Sequence, residues 1–543
     1  DGITCSGSND RTKSTRRVIA HQHNFLRSEI LIFAVLLVFS CANIRNISGG
    51  PEDRTPPVVD IKKSTPNHQT NFRPQEIRLS FNEWINLNNP QQNIIFSPRL
   101  KKNPRYKLQG KAVIIELDKE EQLRDSTTYT IFFGKSIEDI TQKNVAKKIY
   151  FVFSTGPVLD SLTLEGTVVD ALSQQKSILT QVSLYDSLQD SAFVTGPPVY
   201  ITYTDSMGRF LFENLKQGTY RLYAMIDKNQ NFFFDQKTES MGFLEEAVEV
   251  PFLRHDLPRI SLSQERTRNY IKDKKETEGR IRFWFASAPQ DLQISCNTCR
   301  ELVTVQEGDS AVCWYHTDEA CAFYAIYEGR TDTFNLKKSM PPKMNGIHPR
   351  MWSRQWIYGQ PWTLQYNEPI ARLDTALIHF NPSVTYSWKI DSADPRKLRI
   401  YPEKSPGDQF VVRLDSNAIA TVFGSVSAAD SLQCQLVKSS SLSRVKFNIG
   451  GITRDEAYIF QILLNDKVQE QRTFVSQDTG HIILFDALMP GNYKVRLIQD
   501  RNRNGIWDPG KFLQKILPEK TWIWPIKEVR ADWDLEIKLS TES

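Results

Sequence analysis

The residues best suited to chemistry in this 543-residue chain occur as a repeated loop. Asp227-x-Asn229-x-Asn231-x-x-x-Asp235 recurs as Asp500-x-Asn502-x-Asn504-Gly505-x-x-Asp508. Oxygen-bearing side chains at loop positions one, three, five and nine match the first part of a calcium loop, and Gly505 stands where such a loop turns sharply. The twelfth position, which normally supplies a bidentate Glu, holds Thr238 in one copy and Lys511 in the other. With two neutral Asn among the ligands, binding is expected at roughly 0.1–1 mM, the range of weak extracellular modules. The competing reading is a polar hairpin loop whose Asp and Asn side chains bond their own backbone. No other cofactor is required by any motif.

Four cysteines form the second cluster: Cys296, Cys299, Cys313 and Cys321. A C-x-x-C followed by two cysteines has ligands for zinc, but the later pair is widely spaced for a zinc knuckle. In an exported chain the oxidising surroundings favour disulfides. Two disulfides among the four are expected, with zinc or free thiols the alternatives and the connectivity open. No βαβ pattern surrounds the C-x-x-C, which argues against a thioredoxin-like role.

Catalytic motifs are missing from the sequence. Gly134-Lys135-Ser136 mimics the end of a phosphate-binding loop, yet its upstream glycine would fall on Tyr129. No H-E-x-x-H, G-x-S-x-G or G-x-G-x-x-G occurs, and His316, His348 and His379 have no ligand spacing. Asn82-Glu83 and Asn367-Glu368 repeat, but without a second carboxylate at a matching place in both copies. Trp352, Trp356, Tyr358 and Trp362, and again Trp522 and Trp524, read as core or interface residues, with an exposed glycan- or protein-binding platform as the alternative.

The elements that must carry these residues are short strands. Alternating runs such as IRLSF (77–81), VIIEL (113–117) and TYTIFF (128–133) are bounded by Gly, Pro, Asn and Asp, the pattern of β-sandwiches. The composition, 40% hydrophobic and 24% charged, supplies several small cores. A net charge of +5 gives no electrostatic footprint for nucleic acid. Before these strands lies an apolar run over 30–40, too short for the ~20 residues of a membrane span. It follows Arg16, Arg17 and Arg27 and ends on Ser40-Cys41, as a secretory signal does. Residues 1–25 or so, which contain no Met, read as lying upstream of a start near Leu26. A Gly-, Pro- and Asn-rich tether follows Cys41.

The strands are duplicated. LSFNEWINLNNPQQNIIFSP (79–98) matches LQYNEPIARLDTALIHFNP (364–382), and the segment 208–235 matches 480–508. The order is A–B–middle–A′–B′, which argues for modules rather than one large enzyme. The expected division is a signal over 1–41, a tether over 42–55, an Ig-like domain over 56–156 and a second β-sandwich over 157–262. A cysteine-containing β domain over 263–337, a divergent Ig-like copy over 338–440 and a second copy of the sandwich over 441–543 complete it.

Val38-Phe39-Ser40-Cys41 resembles the bacterial lipobox, which implies that Cys41 is diacylated and becomes the N-terminus. Two acyl chains are what stable anchoring takes. Thr55-Pro56-Pro57, Leu79-Ser80-Phe81-Asn82-Glu83 and Phe153-Ser154-Thr155-Gly156 resemble the SbsA-type bacterial Ig-like domain; the copy at 338–440 lacks the Phe-Ser-Thr-Gly exit. Asp205-x-x-Gly208-x-Phe210 with Leu215-x-x-Gly218-x-Tyr220 resembles the carboxypeptidase-regulatory-like (transthyretin-like) β-sandwich. The run from Cys41 to Pro57 is similar to the start of Bacteroidetes lipoproteins that carry an Ig-like domain. These resemblances imply an all-β, lipid-anchored protein of the cell envelope, on an outer membrane. Its expected role is non-enzymatic: binding or scaffolding another envelope component, an envelope protein partner first, with a glycan-binding surface lipoprotein and an enzyme with an unrecognised site in the middle domain as the alternatives.

Overall fold

The computed structural model describes residues 53–542 apart from 148, 190–191, 197, 230–233, 235–238, 278, 337–346 and 527. It is all-β. Among the described residues helix is confined to single turns such as Pro90–Asn93, and no helix is long and apolar enough to cross a membrane.

The period-two pattern explains why these segments are strands. In Glu76–Ser80, Ile77 and Leu79 face inward while Arg78 points away. Glu76–Ser80 pairs with Ala112–Glu116, which pairs with Arg105–Gln109. A second sheet joins Ile95–Ser97, Thr128–Phe132 and Tyr150–Ser154. Ile77, Val113 and Ile115 from the first sheet and Phe96, Ile131 and Phe153 from the second share one core, as in a sandwich. The same pairings return later in the chain. Trp362–Gln365, Lys397–Pro402 and Tyr386–Ile390 repeat the first sheet, and Ile378–Asn381, Gln409–Leu414 and Asp430–Leu436 repeat the second.

The other repeated unit has its own mark. Strand Leu162–Asp170 pairs antiparallel with Arg209–Leu215 and parallel with the unit's last strand, Arg259–Gln264. Ser443–Gly450 does the same with Gly480–Leu488 and Asp534–Ser540. The Leu-x-x-Gly-x-Tyr motif has a physical reason in both: Tyr220 Oη donates to the Lys216 carbonyl at 2.8 Å, and Tyr493 Oη to the Met489 carbonyl at 2.8 Å. Each buried ring thus keeps its hydroxyl satisfied while pinning the turn before its strand. Between the repeats, strands from Ile271–Thr277 to Arg330–Leu336 build two small sheets around Phe283, Phe285, Tyr315 and Phe323.

Neighbouring units touch through small apolar and ionic contacts. Ile95 and Ile201 pack across the first junction, beside an Arg124–Asp186 ion pair at 2.9 Å. Trp314, Val305 and Val312 of the third unit meet Phe423 of the fourth. The fifth unit returns to the second, where Phe512 enters a cluster with Tyr185, Phe193, Tyr223 and Phe243.

Candidate functional site

The second repeated loop follows strand Tyr493–Gln499. Asp500 is buried. Its Oδ1 accepts the Asn504 amide at 3.0 Å and its Oδ2 the Gly505 amide at 2.8 Å. Gly505 has φ +74, a conformation that favours glycine. Asn502 and Asn504 donate their side-chain amides to Asp508 Oδ2, the latter at 2.9 Å. Behind the loop stands Glu519, buried, accepting the Arg501 amide at 2.8 Å and the Asp508 amide at 3.0 Å. Burial pushes its carboxyl above the ordinary range; the two amides oppose this, and the nearby charges of Asp508 and Asp500 add to it.

Glu519 is the third carboxylate that the twelfth loop position fails to supply. Loop spacing missed it because an insertion holding the turn Phe512–Gln514 separates it from Asp508. In the first loop Asp227 and Asn229 are described, whereas Asn231 and Asp235 lie outside the described residues. Glu239, also buried, takes the matching place there and accepts the Lys228 amide at 3.4 Å.

Three carboxylates and two amide oxygens form a hard donor set of the kind calcium takes. As the loop stands, Asp508 is satisfied by amide donors and by Arg266 at 3.2 Å. A bound cation would replace these contacts. Calcium at ten times its Kd is expected to stabilise the chain by roughly 1.4 kcal/mol. The gain should grow as pH rises, because the ion competes with the proton on Glu519. Thermal unfolding in 10 mM calcium against EGTA checks this: Asp227→Ala/Asp500→Ala should lose the shift. An equal shift in both proteins would leave the loops as polar hairpins.

The cysteines depart from expectation. Cys296 and Cys299 form a disulfide with Cα atoms 5.6 Å apart, but Cys313 and Cys321 do not pair. Cys313 lies in strand Ser310–His316, buried in the core, where the Thr304 hydroxyl reaches its sulfur at 3.5 Å. Cys321 instead approaches the bonded pair. Only one of the two expected disulfides is therefore made: spacing in sequence did not reveal that Cys313 and Cys321 occupy different sheets.

The aromatics divide by position. Trp356 and Trp362 are core residues at 2% and 0% exposure. The Trp352 side chain lies outside the described residues. Trp522 and Trp524 are half-buried on the edge strand Thr521–Pro525. They line a cleft of about 1360 Å³ between the second and fifth units, together with Phe252, Arg254, His255 and Asp256. Leu253, at 86% exposure, stands at the same cleft.

The residues weighed for catalysis are spread out. Glu368 accepts the Thr421 hydroxyl at 2.8 Å. Glu83 is pushed above its ordinary range by burial and by Asp53 and Asp139. His348 and His379 each lie beside an aspartate of their own unit, Asp430 and Asp415. Cys41 lies outside the described residues.

Comparison with known proteins gives one family match, to the Bacterial Ig-like domain, over residues 53–155. No curated protein matches the sequence. Among solved structures, surface layer protein SbsC, domains 1-6, is similar at 11% identity, over 89% of this chain and 68% of that one, with a TM-score of 0.14. BcpA, the major pilin subunit of Bacillus cereus, is similar at 9% identity, over 70% and 99%, with a TM-score of 0.16. SGBP-B of the Bacteroides ovatus mixed-linkage glucan utilization locus, in complex with a mixed-linkage heptasaccharide, is similar at 11% identity, over 67% and 92%, with a TM-score of 0.17. The first unit of the chain, residues 53–155, is a bacterial Ig-like domain.

Proposed function

We propose that this chain is a non-enzymatic lipoprotein of the bacterial envelope. A lipid on Cys41 holds it to the outer membrane, and its β units present a binding surface to another envelope component. The observation that carries the reading is the cleft between the second and fifth units, whose walls combine Trp522, Trp524 and Phe252 with Arg254, His255 and Asp256. Aromatic area with a few polar groups in a concavity is the usual composition of a binding site. A binding role fits better than catalysis because Glu83 and Glu368, the repeated acids, belong to separate Ig-like copies, and Glu368 is held by Thr421.

The specific alternative is a glycan ligand. It is favoured by the two indoles on one edge strand, since an aromatic face stacks on apolar sugar faces while neighbouring polar groups take the hydroxyls. One experiment tests these readings together: affinity purification from native membranes of the wild type, Cys41→Ala and Trp522→Ala/Trp524→Ala. The wild type should sediment with membranes and bring down its partner, protein or polysaccharide. Cys41→Ala should move to the soluble fraction. The tryptophan variant should stay on the membrane and lose the partner. A Cys41→Ala protein that still sediments with an unchanged N-terminal mass sinks the anchor, and an undiminished partner on the tryptophan variant sinks the cleft.

A further inference from the structure

Two strands of the third unit bring three sulfurs together. Cys296 ends strand Gln293–Cys296, and Cys321 opens its neighbour, Cys321–Tyr327. Their antiparallel register sets Cys296 opposite Phe323, two residues beyond Cys321. Past Cys296 the chain turns so that Cys299 comes back to bond it. Cys321 Sγ then lies 3.3 Å from Cys296 Sγ and 3.9 Å from Cys299 Sγ. All three sulfurs fall within 4.8 Å of one another. Cys321 is buried in the core beside Phe323 and Tyr315, whereas Cys296 and Cys299 are half-buried at its margin.

A thiol sulfur in contact with a bonded pair is the starting point of thiol–disulfide exchange, in which a thiolate attacks one sulfur of a disulfide in line with the bond that breaks. Cys321 Sγ lies side-on to the pair, 3.3 and 3.9 Å from its two sulfurs, so the Cys299 side chain must swing away from Cys321 to bring the three into line before the attack on Cys296. We propose that Cys296, Cys299 and Cys321 form one exchange centre, and that its ligand is a disulfide carried by another molecule. In the first step the Cys321 thiolate gives an electron pair to Cys296 Sγ. The Cys296–Cys321 bond forms, the Cys296–Cys299 bond breaks, and its electron pair leaves on Cys299 Sγ. The proton lost by Cys321 is taken up by Cys299 through solvent, so nothing is oxidised or reduced overall. The step exchanges a buried thiol for one at the margin of the core. In the second step the Cys299 thiolate attacks an incoming disulfide, forms a mixed disulfide with one half and releases the other half as a thiolate. The number of disulfide bonds is again unchanged, so no separate oxidant is needed.

Cys313 provides an internal control. It lies in the same core but outside the group of three sulfurs, and burial pushes its thiol up to about 12. It therefore stays protonated and unreactive at neutral pH.

The test is disulfide mapping of the full oxidised chain. The protein is alkylated in the native state with N-ethylmaleimide, with and without prior glutathione disulfide, then digested without reduction and analysed by mass spectrometry. Two linkages are expected, Cys296–Cys299 and Cys296–Cys321, with the label on Cys321 in the first form and on Cys299 in the second. Glutathione disulfide should leave its adduct on Cys299. Cys321→Ser should lose that adduct, and Cys313→Ser should keep it. A wild-type chain with the Cys296–Cys299 linkage alone and no adduct on Cys299 overturns the proposal. So does an adduct that survives Cys321→Ser. One equivalent of zinc on a chain whose three thiols are all reduced overturns it as well, in favour of a metal site. The wild-type map decides even if a variant fails to fold.

Discussion

Phe512→Ala should release the fifth unit from the second and cost about 3–5 kcal/mol, the usual range for emptying a buried phenylalanine site. The ring belongs to the fifth unit, but its aromatic neighbours belong to the second. Its centroid lies 4.2 Å from that of Phe193, 5.0 Å from Phe234, 5.4 Å from Phe243 and 5.9 Å from Tyr223. Edge-to-face packing of this kind adds to simple burial. The polar contacts nearby depend on the same docking. Glu265 accepts the Phe512 amide, Ser263 donates to the Pro509 carbonyl, and Arg266 bonds the Trp507 carbonyl and pairs with Asp508. Removing the ring should split the calorimetric melting of the two units into separate transitions and increase the radius of gyration. An unchanged melting profile with unchanged dimensions would show that the plug does not hold the units together. Phe234 comes from the first repeated loop and Phe512 from beside the second, so these two rings meet where the units join, and the cleft with Trp522 and Trp524 opens beside that junction.

Arg396→Ala should be as damaging at the junction of the third and fourth units. The guanidinium is 7% exposed. It bonds both oxygens of Asp394, at 2.7 and 2.9 Å, reaches Glu307 at 2.6 Å across the junction, and lies 5.2 Å from the Trp314 ring centroid. Removing one partner of a buried ion pair costs about 3–5 kcal/mol when it leaves the other charge uncompensated; Lys397 stays beside Asp394 and Arg282 beside Glu307, so the loss should lie toward the lower end of that range. The loss should also depend on acid. Burial pushes Asp394 upward, but hydrogen bonds and charge from Arg396 and Lys397 outweigh it and hold the carboxyl below its ordinary 3.8. Glu307 is likewise pushed up by burial and held below 4.5 by Arg282 and Arg396. A depressed carboxylate stabilises the fold fully above its unfolded pKa and ceases to do so as pH falls through the folded one. The contribution is therefore complete above about pH 5 and fades as pH drops below 4. Urea unfolding of wild type and Arg396→Ala at pH 7 and pH 3 should give a large difference at pH 7 and a smaller one at pH 3. An equal difference at both would mean that lost packing against Trp314, not lost pairing, is what the substitution removes.

The all-β character was legible because it is local. Alternation in runs such as 77–81 reports a half-buried strand without reference to the rest of the chain, and Ile77 and Leu79 do face one core. Likewise, the Leu-x-x-Gly-x-Tyr motif binds its own turn through a tyrosine hydroxyl four residues from its acceptor. What stayed hidden was the long-range pairing. Glu519 joins Asp500 and Asp508 only because the chain returns after an insertion, and nothing in its own neighbourhood marks it as part of a loop site. Phe512 reads as an ordinary apolar residue until its neighbours from the second unit are in place. Four cysteines counted as two pairs with no connectivity assigned, but only Cys296 and Cys299 bond, because Cys313 sits on another sheet and Cys321 is left against the bonded pair.

The parallel pairing of first and last strands in both B-type units has a mechanical meaning. The chain enters Leu162–Asp170 and leaves by Arg259–Gln264 running the same way, so its two ends emerge at opposite poles of the unit. Tension between those poles slides the two strands along each other, and every hydrogen bond of the ladder is loaded together in shear rather than opened one at a time. Ser443–Gly450 and Asp534–Ser540 repeat this over seven residue pairs, from Arg444 with Asp534 to Gly450 with Ser540. A protein held by one end and gripped near the other would transmit pull through these two clamps without unravelling at its first weak bond.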